Sequence, residues 1–278
     1  MLNRLNFSNS LVDLSTPQVM GILNVTPDSF SDGGKYTQFD YALEQAEQMI
    51  ADGATIIDIG GESTRPGAKA VSEHDELARV IPVLKAIKQR FNIVVSIDTS
   101  KASVMSAAID AGADMINDVR ALQNDGCLAA IANSNIPVCL MHMQGIPKNM
   151  QNSPSYDDVI NDIIVFFQQR IDTCISAGIA RERLILDPGF GFGKTLEQNF
   201  YLLANLSKFN QLGLPLLAGL SRKSMIGNLL NREVEQRLAG SLATAIIAAQ
   251  QGAHIIRVHD VQETVDALKV LKAVTDQQ

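Results

Sequence analysis

The sequence predicts an α/β protein, a (β/α)8 TIM barrel, and three observations carry the prediction. Short β-branched runs alternate with amphipathic helical patterns, the mark of parallel strands joined by helical crossovers. Eight such runs can be counted, the number that closes this barrel. Three segments, ADGATIIDI (51–59), DAGADMIND (110–118) and QQGAHIIRV (250–258), repeat one order of helix end, glycine, alanine and strand. The 278 residues suit a single barrel domain, since such barrels run to about 250 residues. A doubly wound open sheet is the alternative, but no G-x-G-x-x-G follows the first strand.

The first 17 residues lie outside the alternation and are expected to close the bottom of the barrel. The expected strands then follow in order: Val19–Asn24, Thr55–Ile59, Ile93–Asp98, Met115–Asp118, Val138–His142, Leu184–Asp187, Leu216–Gly219 and His254–Val258. Gly53, Gly112 and Gly252 stand where helices end in a left-handed cap. A helix is expected over about 73–91, with Pro82 causing a kink or a late start. Ser155-x-x-Asp158, Thr195-x-x-Gln198 and Asp260-x-x-Glu263 read as capping boxes. After the first, Ile160, Ile163, Ile164, Phe167, Ile171, Cys174 and Ile175 form a helical apolar stripe.

The formal net charge of −7 argues against a nucleic-acid partner, which calls for a basic stripe. No apolar run approaches a membrane span, and the N-terminus MLNRLNFSNSLVDLS has no signal-peptide pattern, so a cytoplasmic protein is expected. Cys127, Cys139 and Cys174 make neither a disulfide framework nor a zinc cluster and read as buried packing thiols.

In a barrel of this kind, side chains at the C-terminal strand ends face the active site. Those positions hold Asn24, Gly60-Gly61-Glu62, Asp98, Asn117-Asp118, His142, Asp187, Gly219 to Ser221, Arg257 and His259. The opposite ends carry ordinary turn residues, so the asymmetry points to chemistry. Asp98 and Asp187 only accept hydrogen bonds, whereas Asn117 both donates and accepts. A carboxylate suits the N–C–N edge of a heterocycle, with helix capping as the plainer role. Arg65, Arg222, Lys223, Arg257 and His259 form a basic set. Ser221-Arg-Lys-Ser should open a helix after the seventh strand, where barrels often bind phosphate. His142 and His259 lack metal-ligand spacing, His74 fits a solvated helix face, and His254 begins a strand. The segment 189–195, GFGFGKT, is not a P-loop, because Pro188 stands where the first glycine is required. Its glycines would let backbone approach a flat ligand. Two long Gly/Pro-punctuated loops, 26–34 and 60–67, read as lids or binding loops, and Phe30 in the first favours a lid.

GILNVTPDSFSDGG (21–34), DIGGESTRPGA (58–68), SIDTSK (96–101), INDV (116–119), MHMQG (141–145), LDPGFGFGKT (186–195), GLSRKSMIG (219–227) and RVHD (257–260) together resemble the dihydropteroate synthase family. The resemblance runs from about Val19 to the last helix; Ile146 and Asn149 fall in a loop that varies in the family. It implies condensation of 6-hydroxymethyl-7,8-dihydropterin pyrophosphate with p-aminobenzoate, dependent on Mg2+. It implies that Asp98, Asn117, Asp187 and Lys223 hold the pterin, with Arg257 stacked on its face. Asn24, Thr64, Arg257 and His259 would meet the pyrophosphate, Asn24 also binding the metal. Phe30, Arg65, Pro66, Phe190 and Ser221 would form the p-aminobenzoate pocket, the expected place for sulfonamides. Catalytic work would fall to Asn24, Arg65, Lys223, Arg257 and His259. The family also implies a homodimer. Other readings are a non-catalytic pterin-binding paralogue, a pterin-dependent methyltransferase, and a phosphate-binding barrel isomerase or aldolase. The SRK segment and the long first two loops disfavour the methyltransferase. Intact Asn24, Phe30, Thr64, Arg65 and Lys223 disfavour the paralogue, and the lack of an inner-strand Schiff-base lysine disfavours the aldolase.

Overall fold

The computed structural model describes residues 4–7, 10–26, 35–63, 68, 70–145 and 154–277. Two short antiparallel strands come first, β1 (Arg4–Phe7) and β2 (Ser10–Asp13). Eight parallel strands follow: β3 (Gln18–Asn24), β4 (Ile56–Gly60), β5 (Val94–Asp98), β6 (Met115–Asp118), β7 (Val138–Met141), β8 (Leu184–Asp187), β9 (Leu217–Ala218) and β10 (Ile255–Val258). Every expected strand is present, with ends displaced by at most one residue. They pair in the order β8-β7-β6-β5-β4-β3-β10-β9. The two edges meet where Leu186 bridges Leu216 and its N–H donates to the Pro215 carbonyl at 2.9 Å, which closes the barrel.

Around the strands lie α1 (Lys35–Ala51), α2 (Glu73–Arg90), α3 (Ala102–Asp110), α4 (Cys127–Ala132), α5 (Val159–Ser176), α6 (Leu196–Ala204), α7 (Ser224–Leu230), α8 (Leu238–Gln250) and α9 (Val261–Thr275). Gly53, Gly112 and Gly252 have φ of 100°, 96° and 93°, so the three short helix-to-strand turns use the left-handed residue as expected. Pro82 lies inside a helix running from Glu73, so there is no late start. Ser72 caps that helix by accepting from the Asp75 N–H, and Glu73, Asp75 and Glu76 favour its positive end.

Of the three expected capping boxes, only Thr195–Gln198 forms. Asp158 caps α5 by itself, accepting from the Ile160 and Asn161 N–H groups. The Asp260 carboxylate is drawn away from α9 by Arg222. The α5 stripe is buried through Cys174, but Ile175, about 100° round the helix from Cys174, is 44% exposed. All three cysteines are buried, and burial pushes the Cys127 thiol up to about 12.

The period of two sorts each strand into two faces. Val19, Ile57, Val95, Ile116, Leu140, Leu186, Ala218 and Ile256 pack outward in the core shared with the helices. Met20, Ile56, Val94, Met115, Cys139, Ile185, Leu217 and Ile255 point inward and form a separate apolar layer with Leu5, Phe7 and Leu14. The β1–β2 pair thus plugs the N-terminal end of the barrel, as expected for the first 17 residues. Water is excluded below, and the inner positions above that layer are free to be polar. Phe7 is fully buried in the plug, so Phe7→Ala is expected to lower stability by about 3 kcal/mol in equilibrium urea unfolding. A loss below about 1 kcal/mol would mean that the plug is not part of the barrel's core.

Candidate active site

Two residues beyond the inward apolar layer, the same period brings Asp58, Asn117, Asp187 and Arg257 to the inside of the barrel. One further step up brings Asn24 and Asp98, at the C-terminal ends of β3 and β5. Polar side chains from six strands therefore converge at one mouth.

Asp58, fully buried, is the hub. Its Oδ2 accepts from Arg257 Nε at 2.6 Å and from Asn117 Nδ2 at 3.1 Å. Arg257 Nη2 donates to Asp98 Oδ2 at 2.9 Å. Arg257 from β10 thereby links β4 and β5 across the barrel. Burial opposes the guanidinium's charge, but Asp58 and Asp98 outweigh it and raise its pKa. A carboxylate can only accept, so the Asn117 amide nitrogen turns to Asp58. Its amide oxygen is left as an acceptor for a ligand N–H. Burial pushes the Asp98 carboxyl up to about 7, against the pull of Arg257.

The other side of the mouth is built by Asp187 and Lys223. Burial raises the Asp187 carboxyl, opposed first by Lys223, and its Oδ1 accepts from the Gly189 N–H at 2.8 Å. Lys223 donates to the Phe190 carbonyl, and its Nζ lies 4.4 Å from the Phe192 ring centroid. Burial lowers the Lys223 ammonium to about 8, with Arg257 adding to the effect and Asp187 opposing it. Helix α7 begins at Ser224 with Lys223 as its N-cap, so Ser221 does not open it. Arg222, at φ 58°, turns the chain between them. The Phe190 side chain is buried in the core while its carbonyl faces Lys223; Phe192 is the half-buried ring beside the site.

Ser221 and His259 stand together, with Ser221 Oγ 3.0 Å from His259 Nδ1 and 3.2 Å from the His259 N–H, which donates to it. Arg222, of the expected basic set, is instead held by both oxygens of Asp260. Asn24 is half-buried beside Gly60, where a Cβ would stand 3.6 Å from Asn24 Oδ1. Phe30, Thr64, Arg65 and Pro66 lie outside the described residues. The chain leading to the last three is anchored by Glu62, which accepts from Lys101 at 2.5 Å and from the Val71 N–H at 3.0 Å. His142 is buried, and its pKa is lowered to about 2 by burial and then by Lys194, so it is neutral. His74 is exposed on α2, and His254 Nδ1 accepts from the Leu216 N–H just before β10.

Sequence reasoning missed Asp58 and Lys194. A charged residue inside the apolar run IIDIG, in phase with the inward layer, was the available signal for Asp58. Two of the GFGFGKT glycines, Gly189 and Gly193, permit close packing against the chain at residues 142 and 144, while Gly191 faces Lys223. A Cβ on Gly189 would come 1.9 Å from the His142 carbonyl oxygen, and one on Gly193 would come 2.5 Å from that of Gln144.

A barrel with acceptors, an amide and two cations at its mouth fits a pterin-binding enzyme, and the family model so described matches residues 20–259. Dihydropteroate synthase of Escherichia coli (strain K12) is 59% identical over 94% of this chain and 93% of its own length. That of Haemophilus influenzae is 55% identical, over 97% and 98%. Among solved structures, Yersinia pestis dihydropteroate synthase in a sulfonamide drug complex superposes with a TM-score of 0.94 and 59% identity, covering 98% of this chain and 99% of that one. The Xanthomonas albilineans enzyme in complex with 7,8-dihydropteroate gives 0.88 and 44%, covering 98% of each chain. The chain belongs to the dihydropteroate synthase family of pterin-binding enzymes.

A pterin held by Asp98 and Lys223 would need the first without its proton and the second with one. Asp98 loses its proton as pH rises through about 7, and Lys223 loses its own through about 8. Pterin affinity is therefore expected to peak between those values and to fall on both sides. Calorimetric titration from about pH 6 to about pH 9 checks this, and a flat profile contradicts it.

Proposed function

We propose that the chain, as one domain over residues 1–278, condenses 6-hydroxymethyl-7,8-dihydropterin pyrophosphate with p-aminobenzoate to give 7,8-dihydropteroate and pyrophosphate. One observation carries the reading. Asp98, Asn117, Asp187, Lys223 and Arg257 meet at one mouth, in a chain similar over nearly all its length to dihydropteroate synthases. Solved relatives include the Xanthomonas albilineans enzyme with 4-aminobenzoic acid and with 7,8-dihydropteroate, and the Yersinia pestis enzyme with a pterine-sulfa conjugate.

The pterin takes its N–H groups to Asp98, Asp187 and the Asn117 oxygen, while Lys223 donates to its acceptors. The planar Arg257 guanidinium, held by Asp58 and Asp98, covers the heterocycle's face. Asn24, Thr64, Arg257 and His259 receive the pyrophosphate. Ser221, with Phe30, Arg65, Pro66 and the Phe190 backbone, receives p-aminobenzoate. The arylamine nitrogen forms a bond to the pterin methylene carbon. The C–O bond breaks, its electron pair leaves with the pyrophosphate, and the amine gives up one proton. No covalent nucleophile is needed, so this chain's residues bind, orient and stabilise the charge of the leaving group.

Among the described residues no cluster of three or more His, Cys, Asp or Glu could hold a metal ion. Mg2+ does not require one, since it usually keeps several waters and binds through one or two protein oxygens plus substrate phosphates. Asn24, one amide oxygen at the mouth, fits that donor set and would hold it. When bound, the ion neutralises charge developing on the pyrophosphate. We further propose a cytoplasmic homodimer. No described helix is long and apolar enough to cross a membrane.

Purified protein incubated with dihydropterin pyrophosphate, p-aminobenzoate and Mg2+ is expected to yield dihydropteroate by mass spectrometry, and to lose it with a chelator. Absence of product while a pterin still binds would favour a binding paralogue or a methyltransferase. Arg257→Ala is expected to lower kcat/KM by roughly 3 kcal/mol, comparable to losing one oxyanion donor. An unchanged kcat/KM in steady-state assays would remove Arg257 from the mechanism.

A further inference from the structure

Lys194 is only 2% exposed, and an ammonium is costly to bury unless its donors are met. Its Nζ lies 2.8 Å from the Gly189 carbonyl oxygen, 3.1 Å from that of Phe192 and 3.1 Å from His142 Nδ1. Burial lowers the Lys194 amine to about 7, opposed by Asp187, and in the protonated form its three N–H donors meet these three acceptors. His142 is neutral, and against a protonated Lys194 its Nδ1 is the acceptor, with the ring proton on Nε2. The histidine is itself fixed: its N–H donates to the Asp187 carbonyl at 2.8 Å, and its ring meets that of Phe166 edge-on at 4.9 Å.

Lys194 holds the loop Gly189–Gly193 from behind. Gly189, Gly191 and Gly193 all have positive φ, and the absence of Cβ atoms at the first and last lets the loop press onto residues 142–144. The front of the loop touches the site at three places. The Gly189 N–H donates to Asp187, the Phe190 carbonyl accepts from Lys223, and the Phe192 ring lies beneath Lys223 Nζ. Both carbonyls that Lys194 binds flank the one that Lys223 uses.

We propose that Lys194 is a positioning residue of the pterin pocket, its buried amino group fixing the loop that aims Lys223 and Asp187. The inference rests on the reading of those two residues as pterin ligands. A purely structural lysine would change stability alone; a positioning lysine changes affinity for one substrate and spares the other.

The test compares wild-type protein with Lys194→Met, measuring the melting temperature, the calorimetric Kd of dihydropterin pyrophosphate, and the KM of each substrate. The expected result is about a tenfold rise in Kd and KM for the pterin, with the p-aminobenzoate KM within about twofold of wild type. Unchanged pterin values, or equal rises for both substrates, would overturn the inference. Should Lys194→Met fail to fold, His142→Asn and His142→Leu decide. Asparagine offers an acceptor near the Nδ1 position and should keep pterin affinity, while leucine should weaken it. Equal behaviour of the two overturns the inference. Wild-type protein that forms no dihydropteroate would instead sink the proposed function itself, and the inference with it.

Discussion

The site depends on the pairing of Arg257 with Asp58. A carboxylate in the middle of a strand with no exposure would be intolerable alone. The guanidinium and the Asn117 amide both donate to one of its oxygens, while the other, Oδ1, has no hydrogen-bond partner among the described residues. Removing one member of a buried pair costs about 3–5 kcal/mol, a large part of the roughly 5–15 kcal/mol that holds a domain folded. Apolar side chains would fill the same space more cheaply. The pair therefore makes sense as an orienting device: it sets the plane of Arg257 and the rotation of Asn117 before any ligand arrives.

That device requires the barrel to be closed and plugged. Arg257 and Asp58 stand on strands separated by β3, and Arg257 reaches Asp98 one strand further on. Only an inward-curving sheet brings such residues together. The apolar layer below, sealed by Leu5, Phe7 and Leu14, keeps water from the network's lower side and keeps the local dielectric low. On the upper side the same burial raises Asp98 and lowers Lys223 until both titrate near neutrality. A chain with net charge −7 can still present cations to an anionic ligand, because Arg257 and Lys223 are gathered at one mouth.

The eight strands were legible because parallel strands covered on both faces leave near-continuous apolar runs. The helix-ending glycines Gly53, Gly112 and Gly252 were legible because φ near 100° excludes most other residues. Asp98, Asn117, Asp187 and Arg257 could be found from position alone, at or next to strand ends. Asp58 could not, because it lies below the rim, inside a strand. Lys194 could not either, because its partners are two loop carbonyls and a histidine 52 residues away. Helix starts were the weakest reading. Asp260 resembles a cap in sequence, yet Arg222, 38 residues earlier, supplies a full charge that the helix amides do not match.

The most direct test is a crystal structure of the chain with dihydropterin pyrophosphate bound. The heterocycle is expected within hydrogen-bond distance of Asp98, Asn117 and Asp187, beneath an Arg257 still held by Asp58. A pterin bound away from those three side chains, or an Arg257 released from Asp58 in the complex, would contradict it.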